Sequence, residues 1–160
     1  LSYEEMINVK TLADKLNIKL SGYSPNTFDE SFADDWLKKA DKTANRASFK
    51  ELQIDETKEF FEKALNEAKT IFVLENSYFE DKLNLLENKK LISLFSHHCL
   101  TVGNSDIAVP VASFYEKSGS YINCDGIRQK VVSKLDKNSP MPTITTIIEN
   151  IKSMIGKGTI

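Results

Sequence analysis

Hydrophobic residues recur with a helical period near both ends of the chain. Residues 2–17 predict a helix, because Ser2 and Glu5 have the spacing of a capping box and the apolar positions share one face: Met6, Val9, Leu12, Ala13 and Leu16. Pro140 and Pro142 introduce a second helix with the most regular stripe of the sequence, which ends near Gly156: Ile144, Ile147, Ile148, Ile151, Met154 and Ile155.

Short apolar runs alternate with helical patterns in the middle of the chain. Residues 56–68 predict a helix capped by Asp55, and residues 78–88 predict another, opened by the spacing of Ser77 and Glu80. Residues 71–74, 91–95 and 107–109 predict strands, and the last either stops or lies at a sheet edge at Pro110, which cannot donate a ladder hydrogen bond. This alternation indicates crossover connections and a parallel α/β sheet.

The remaining segments have weaker patterns. Residues 18–32 predict a loop with a short strand at 18–20, and residues 33–40 predict a short helix with Trp36, Leu37 and Ala40 inward. Residues 41–55 are polar and irregular. Residues 113–130 predict an irregular excursion, and residues 127–135 an extended piece.

Composition narrows the class of protein. The chain has 160 residues, 41% of them hydrophobic and 28% charged, which suits one globular domain or a piece of a larger one. The net charge of -2 gives no basic footprint for nucleic acid, and no apolar run reaches the ~20 residues of a membrane helix. Cys99 and Cys124 are too few for a disulfide scaffold, so we expect a reducing compartment and two small buried side chains.

The sequence contains few recognisable catalytic or ligand-binding motifs. The glycines form neither a dinucleotide-binding nor a phosphate-binding loop, and zinc-protease and serine-hydrolase motifs are missing. His97, His98 and Cys99 suggest either a metal site completed by Cys124 or the carboxyl end of a strand, and the strand end is favoured. Asp34-Asp35 and Asp41-Lys42 are interpreted as solvated or helix-terminal charges rather than acid–base groups. Glu116 and Lys117 are interpreted as a surface ion pair.

Residues 105–129 resemble a block of the molybdopterin oxidoreductase family. That block reads A-D-V-V-L-P, then E-K-x-G-T-x-x-N, then E-G-R-x-Q, and the chain matches it at Asp106, Pro110, Glu116, Lys117, Gly119, Asn123, Gly126 and Gln129. Residues 33–46 are similar to an L-x-x-A-D-K-x-x-N segment of the large iron–sulfur subunit of NADH-quinone oxidoreductase (respiratory complex I).

The chain also departs from the family pattern. Ser105 replaces the motif's alanine, and Arg128 stands one place later than the motif's arginine. Relatives that bind the cofactor often end the preceding strand with Q-D or S-D, whereas residues 95–98 read Phe-Ser-His-His, which argues against a carboxylate for guanine or ribose. Two cysteines cannot supply the four thiolates of an iron–sulfur cluster.

The resemblance implies an α/β fold with a parallel Rossmann-like sheet flanked by helices, as in formate dehydrogenase and DMSO reductase-type domains. It implies that residues 1–160 are one domain, or a fragment of a larger molybdopterin-oxidoreductase-like region, with a non-catalytic scaffold role in the C-terminal region of that large iron–sulfur subunit. The alternatives are a pterin-cofactor-binding domain of a formate dehydrogenase-like molybdoenzyme, and a free-standing module that binds a nucleotide or a partner protein.

The resemblance also implies what surrounds the chain. We expect no catalytic residue, metal ligand or cofactor here, iron–sulfur clusters elsewhere in the full-length subunit, and molybdopterin only under the enzyme alternative. The expected partners are other domains or subunits of a respiratory redox complex, in a cytoplasmic location peripheral to the inner membrane, with no nucleic acid and no direct membrane insertion. A relic cofactor loop would comprise Glu116, Lys117, Gly119, Asn123, Gly126 and Gln129, with the glycines in tight turns and Asn123 and Gln129 holding the loop by hydrogen bonds.

Overall fold

The computed structural model describes residues 1–23, 30–36, 38–43, 45–133 and 140–157, and all structural statements concern these residues. The helices are α1 (Tyr3–Leu16), α2 (Ala47–Glu51), α3 (Lys58–Glu67), α4 (Leu100–Gly103) and α5 (Ile144–Gly156). The strands are β1 (Thr70–Leu74), β2 (Lys90–Phe95), β3 (Ile107–Pro110), β4 (Gly119–Ile122) and β5 (Arg128–Val131). None of the described helices is long and apolar enough to cross a membrane.

The three predicted strands form one parallel sheet in the order β1-β2-β3. Leu74 lies beside Leu94, and Phe95 lies beside Pro110, which ends the edge strand β3 as predicted. Helices flank this sheet, so the α/β fold with a parallel Rossmann-like sheet is confirmed.

The strands bury apolar residues on both faces because their side chains alternate. On one face, Leu94 packs with residues of α1 and α5, including Val9, Leu12, Ile144 and Ile148. On the other face, Leu91 and Phe95 pack with residues of the β1–β2 connection, including Phe79 and Leu86.

Helices α1 and α5 confirm the two clearest helical patterns. Ser2 and Glu5 form the predicted capping box, and Thr143 caps α5 by accepting a hydrogen bond from the Thr146 N–H. Leu16 and Met154, predicted on the buried faces, are 42% and 46% exposed because they lie in the last turns, beyond the main packing.

The predicted helix over 78–88 is wrong. The segment forms two short 3-10 helices, Ser77–Phe79 and Leu83–Leu86, and Asn76 rather than Ser77 accepts the capping bond from the Tyr78 N–H. The Glu80 carboxylate accepts hydrogen bonds from the backbone N–H groups of Leu100 and Thr101, 2.8 and 3.0 Å away. Glu80 therefore makes a tertiary contact, and its side chain is not available for a capping box with Ser77.

The helix predicted over 33–40 is also wrong, since no α-helix forms in the described part of that segment. The Asp34 carboxylate accepts hydrogen bonds from the N–H groups of Trp36 and Lys38, which closes a polar turn and leaves Trp36 89% exposed. Leu37 lies outside the described residues. The stretch 41–55, predicted to be irregular, contains the short helix α2, and residues 18–20 form no strand.

The helix predicted over 56–68 is α3, but its N-cap is Thr57. Asp55 accepts a hydrogen bond from the Thr57 N–H instead of capping the helix directly. Its predicted apolar stripe is only half-buried: Phe60, Phe61, Ala64, Leu65 and Ala68.

The excursion after β3 is more regular than predicted. Strands β4 and β5 pair as an antiparallel hairpin that packs on α1 and α2. The predicted extended piece corresponds to β5, although Leu135 at its far end lies outside the described residues.

Candidate functional site

The segment from Ser113 to Val131, here called the hairpin segment, carries all six predicted loop residues. It leaves the sheet after the buried pair Val111 and Ala112, turns at residues 113–118, and returns through β4 and β5. Three residues of the first half of the chain hold it from beneath: Glu4 and Glu5 in the first turn of α1, and Asn45 just before α2.

Glu116 closes the first turn of this segment. Its carboxylate accepts hydrogen bonds from the backbone N–H and the hydroxyl of Ser113, at 2.8 and 2.7 Å. The predicted ion pair between Glu116 and its neighbour Lys117 is wrong, because Lys117 points into the molecule towards α1.

Lys117 forms a buried ion pair with Glu5. Its ammonium group donates to both carboxylate oxygens, at 3.0 and 2.8 Å, and the two side chains are 6% and 3% exposed. Glu5 is held in place because the capping box turns its carboxylate back onto the Ser2 N–H, 2.9 Å away. Burial of an ammonium group is costly unless a fixed counter-charge pairs with it, and Glu5 supplies that counter-charge.

The carboxylates of α1 also influence the neighbouring hairpin residues. Burial, together with the negative charges of Glu5 and Glu4, raises the pKa of Tyr121 to about 12. Burial pushes the pKa of Glu4 upwards, but hydrogen bonds, chiefly from Ser120, outweigh it and lower that pKa overall. The Ser120 N–H lies 2.8 Å from the Glu4 carboxylate, so Glu4 stays ionised and anchors β4.

The two motif glycines serve different purposes. At Gly119 a Cβ atom would lie 2.5 Å from the Ser2 Cβ, so glycine permits β4 to lie directly against the start of α1. Gly126 has φ of +79° with open space around it, which is the tight turn predicted for it. Only Gly126 therefore has the turn role that was predicted for both.

Asn123 and Gln129 also differ. The Asn123 side-chain oxygen accepts hydrogen bonds from the N–H groups of Asp125 and Ile127, at 3.0 and 2.8 Å, and so holds the hairpin turn as predicted. Gln129 is exposed in β5 opposite Tyr121, and its side chain makes no hydrogen bond within the described part of the chain. The predicted holding role of Gln129 is therefore wrong.

Arg128 lies on the other face of β5 from Gln129. It stacks over the Tyr3 ring at 3.9 Å and contacts the Glu51 carboxylate at 2.5 Å, which joins β5 to α1 and α2. Because strand side chains alternate, the one-place shift from the family pattern puts this arginine on the face that meets the helices.

Asn45 is the residue that the site prediction missed. It is 1% exposed, with φ of +68°, and its side-chain oxygen accepts hydrogen bonds from the Ile122 N–H (2.7 Å) and the Ser48 hydroxyl. Its amide group donates to the Leu1 carbonyl at 2.9 Å. The signal in the sequence was its place as the final asparagine of the A-D-K-x-x-N segment.

The predicted strand-end residues line a separate cleft at the carboxyl ends of β2 and β3. The cleft has a volume of about 270 Å³, and its walls include Phe95, Ser96, His97, His98 and Pro110. Across the edge, the Glu75 carboxylate accepts hydrogen bonds from the N–H and hydroxyl of Ser96. The histidines thus end a strand, as favoured by the sequence.

The structure does not assemble the alternative metal site. No group of three His, Cys, Asp or Glu side chains that could hold a metal ion exists among the described residues. Cys99 is half-buried, whereas Cys124 is exposed at the hairpin turn, which corrects the prediction that both are buried.

The hairpin segment does not fit a pterin dinucleotide. Such a ligand needs donors aimed outward at its phosphates and ring, whereas Lys117 donates to Glu5, the Asn123 oxygen accepts from its own turn, and the first turn of α1 fills the space beside Gly119. Gln129 is the one predicted loop side chain that remains open to solvent without a hydrogen bond in the described chain.

Comparison with known proteins agrees with the hairpin segment and the parallel sheet. No curated protein matches the sequence. The model of the molybdopterin oxidoreductase family matches residues 2–142, a range that includes the whole sheet and the whole hairpin segment. The chain therefore belongs to the molybdopterin oxidoreductase family.

Proposed function

We propose that this chain is a non-catalytic scaffold domain of the large iron–sulfur subunit of NADH-quinone oxidoreductase. The proposal rests on one observation: polar side chains of the hairpin segment point into the chain, and Lys117 forms a buried ion pair with Glu5. Because the charged group of this loop pairs with another residue of the chain, it supports packing and is not available to bind a ligand.

The first half of the chain supports the same assignment. Asn45, which ends the segment resembling the large iron–sulfur subunit, joins β4 both to Leu1 and to Ser48 of α2 through three hydrogen bonds. In the proposal this contact holds the family's former cofactor loop as a rigid wall of the domain.

The proposal extends to the surroundings of the chain. Residues 1–160 would be one domain, or a fragment of a larger molybdopterin-oxidoreductase-like region, beside iron–sulfur clusters carried elsewhere in the full-length protein. Other subunits of the respiratory complex would be its partners, at the cytoplasmic side of the inner membrane, and electrons would pass from NADH to quinone outside this chain.

A pterin-binding domain of a formate dehydrogenase-like molybdoenzyme is the second candidate. The cleft beside His97 and His98 favours it, since ligands of open parallel sheets bind at the carboxyl ends of strands. Its volume of about 270 Å³ lies just below the range of ~300–1,000 Å³ typical of small-molecule sites, which disfavours a whole dinucleotide.

Elemental and pterin analysis of the full-length protein separates the two candidates. The scaffold proposal predicts iron without stoichiometric molybdenum, tungsten or pterin, together with NADH oxidation that depends on quinone. Stoichiometric molybdenum or tungsten with pterin would favour the second candidate instead.

A pair of variants in the assembled complex tests the scaffold role itself. Lys117→Ala should lower the amount of complex that assembles while turnover per assembled complex stays unchanged. The matched control is Lys10→Ala, which removes the partner of the exposed Asp14 on the same helix that carries Glu5. Normal assembly with lost turnover would mean that Lys117 serves the chemistry, and would contradict the scaffold role.

A further inference from the structure

We draw no further inference here: the strongest candidate, the exposed apolar patch of Phe72 and Ile107 on one face of the parallel sheet, carries nothing because no contact among the described residues shows what covers it.

Discussion

Replacement of Lys117 by alanine is the sharpest test of the buried contact between the hairpin segment and α1. The change removes an ammonium group that donates to both oxygens of Glu5 and leaves that carboxylate only 3% exposed. Removing one partner of a buried pair costs about 3–5 kcal/mol, because the remaining charge is buried without compensation. The Ser2 N–H still donates to Glu5, so we expect about 3 kcal/mol, at the lower end.

Urea unfolding followed by far-ultraviolet circular dichroism measures this free energy. A loss of about 3 kcal/mol corresponds to a melting temperature lower by about 6–12 °C for a chain of this size. Lys10→Ala is the control, because its partner Asp14 is largely exposed, and it should cost less than about 1 kcal/mol.

The double variant Glu5→Leu, Lys117→Met completes the test. It removes both charges together, so it should recover most of the stability that Lys117→Ala loses, since apolar replacement of a whole buried pair is often close to neutral. Equal costs for Lys117→Ala and Lys10→Ala would refute the buried-pair reasoning.

Three further changes test other contacts. Gly119→Ala should lower the free energy of unfolding by about 1–3 kcal/mol in thermal melts, because the added Cβ would lie 2.5 Å from the Cβ of Ser2. The control Gly156→Ala, which has open space around it, should be neutral or stabilising in the same measurement. Asn45→Ala should cost about 2–4 kcal/mol in urea unfolding, since it strips partners from buried backbone groups, and an unchanged midpoint would remove Asn45 from its anchoring role. Hydrogen bonds, first from the Thr101 side chain, lower the pKa of Glu80 from 4.5 to about 2, so the stability that Glu80 contributes is complete above pH 4.5 and is lost as the pH falls towards 2. Glu80→Gln should therefore make the free energy of unfolding depend less on pH in this range, and an unchanged pH dependence would contradict this.

Local patterns are sufficient to predict the elements that depend on local chemistry. The capping box at Ser2 and Glu5 and the isoleucine stripe of α5 identify helices because the relevant contacts lie within a few residues. The strands are recognisable because buried parallel strands are continuous apolar runs, and Pro110 correctly marks an edge.

The predictions are wrong where a side chain bonds to a residue far away in the sequence rather than to a neighbour. Glu80 has the spacing of a capping box, but it binds backbone groups twenty residues further on. Lys117 looks like half of a local ion pair, yet its counter-charge Glu5 lies 112 residues away. No local pattern contains that information, so such contacts require the fold.

The position of the candidate site is predictable from the sequence, but the use of its residues only partly so. The family motif locates the hairpin segment, and the roles expected from it are correct for Gly126, which makes a tight turn, and for Asn123, which holds the segment by side-chain hydrogen bonds. It assigns Gly119 to a turn, whereas this glycine is needed for close packing against Ser2. The motif reports which residues belong to the family, while their contacts depend on α1.

Hydrogen exchange of the hairpin segment, followed by mass spectrometry, tests the central claim most directly. The folded chain is compared alone and with excess molybdopterin guanine dinucleotide. Because Ser120 and Ile122 N–H groups already donate to Glu4 and Asn45, we predict slow exchange without the ligand and no further protection when it is added. Fast exchange that becomes slow upon addition of the dinucleotide would contradict the account, because it would mean that the segment is ordered by a cofactor rather than by α1.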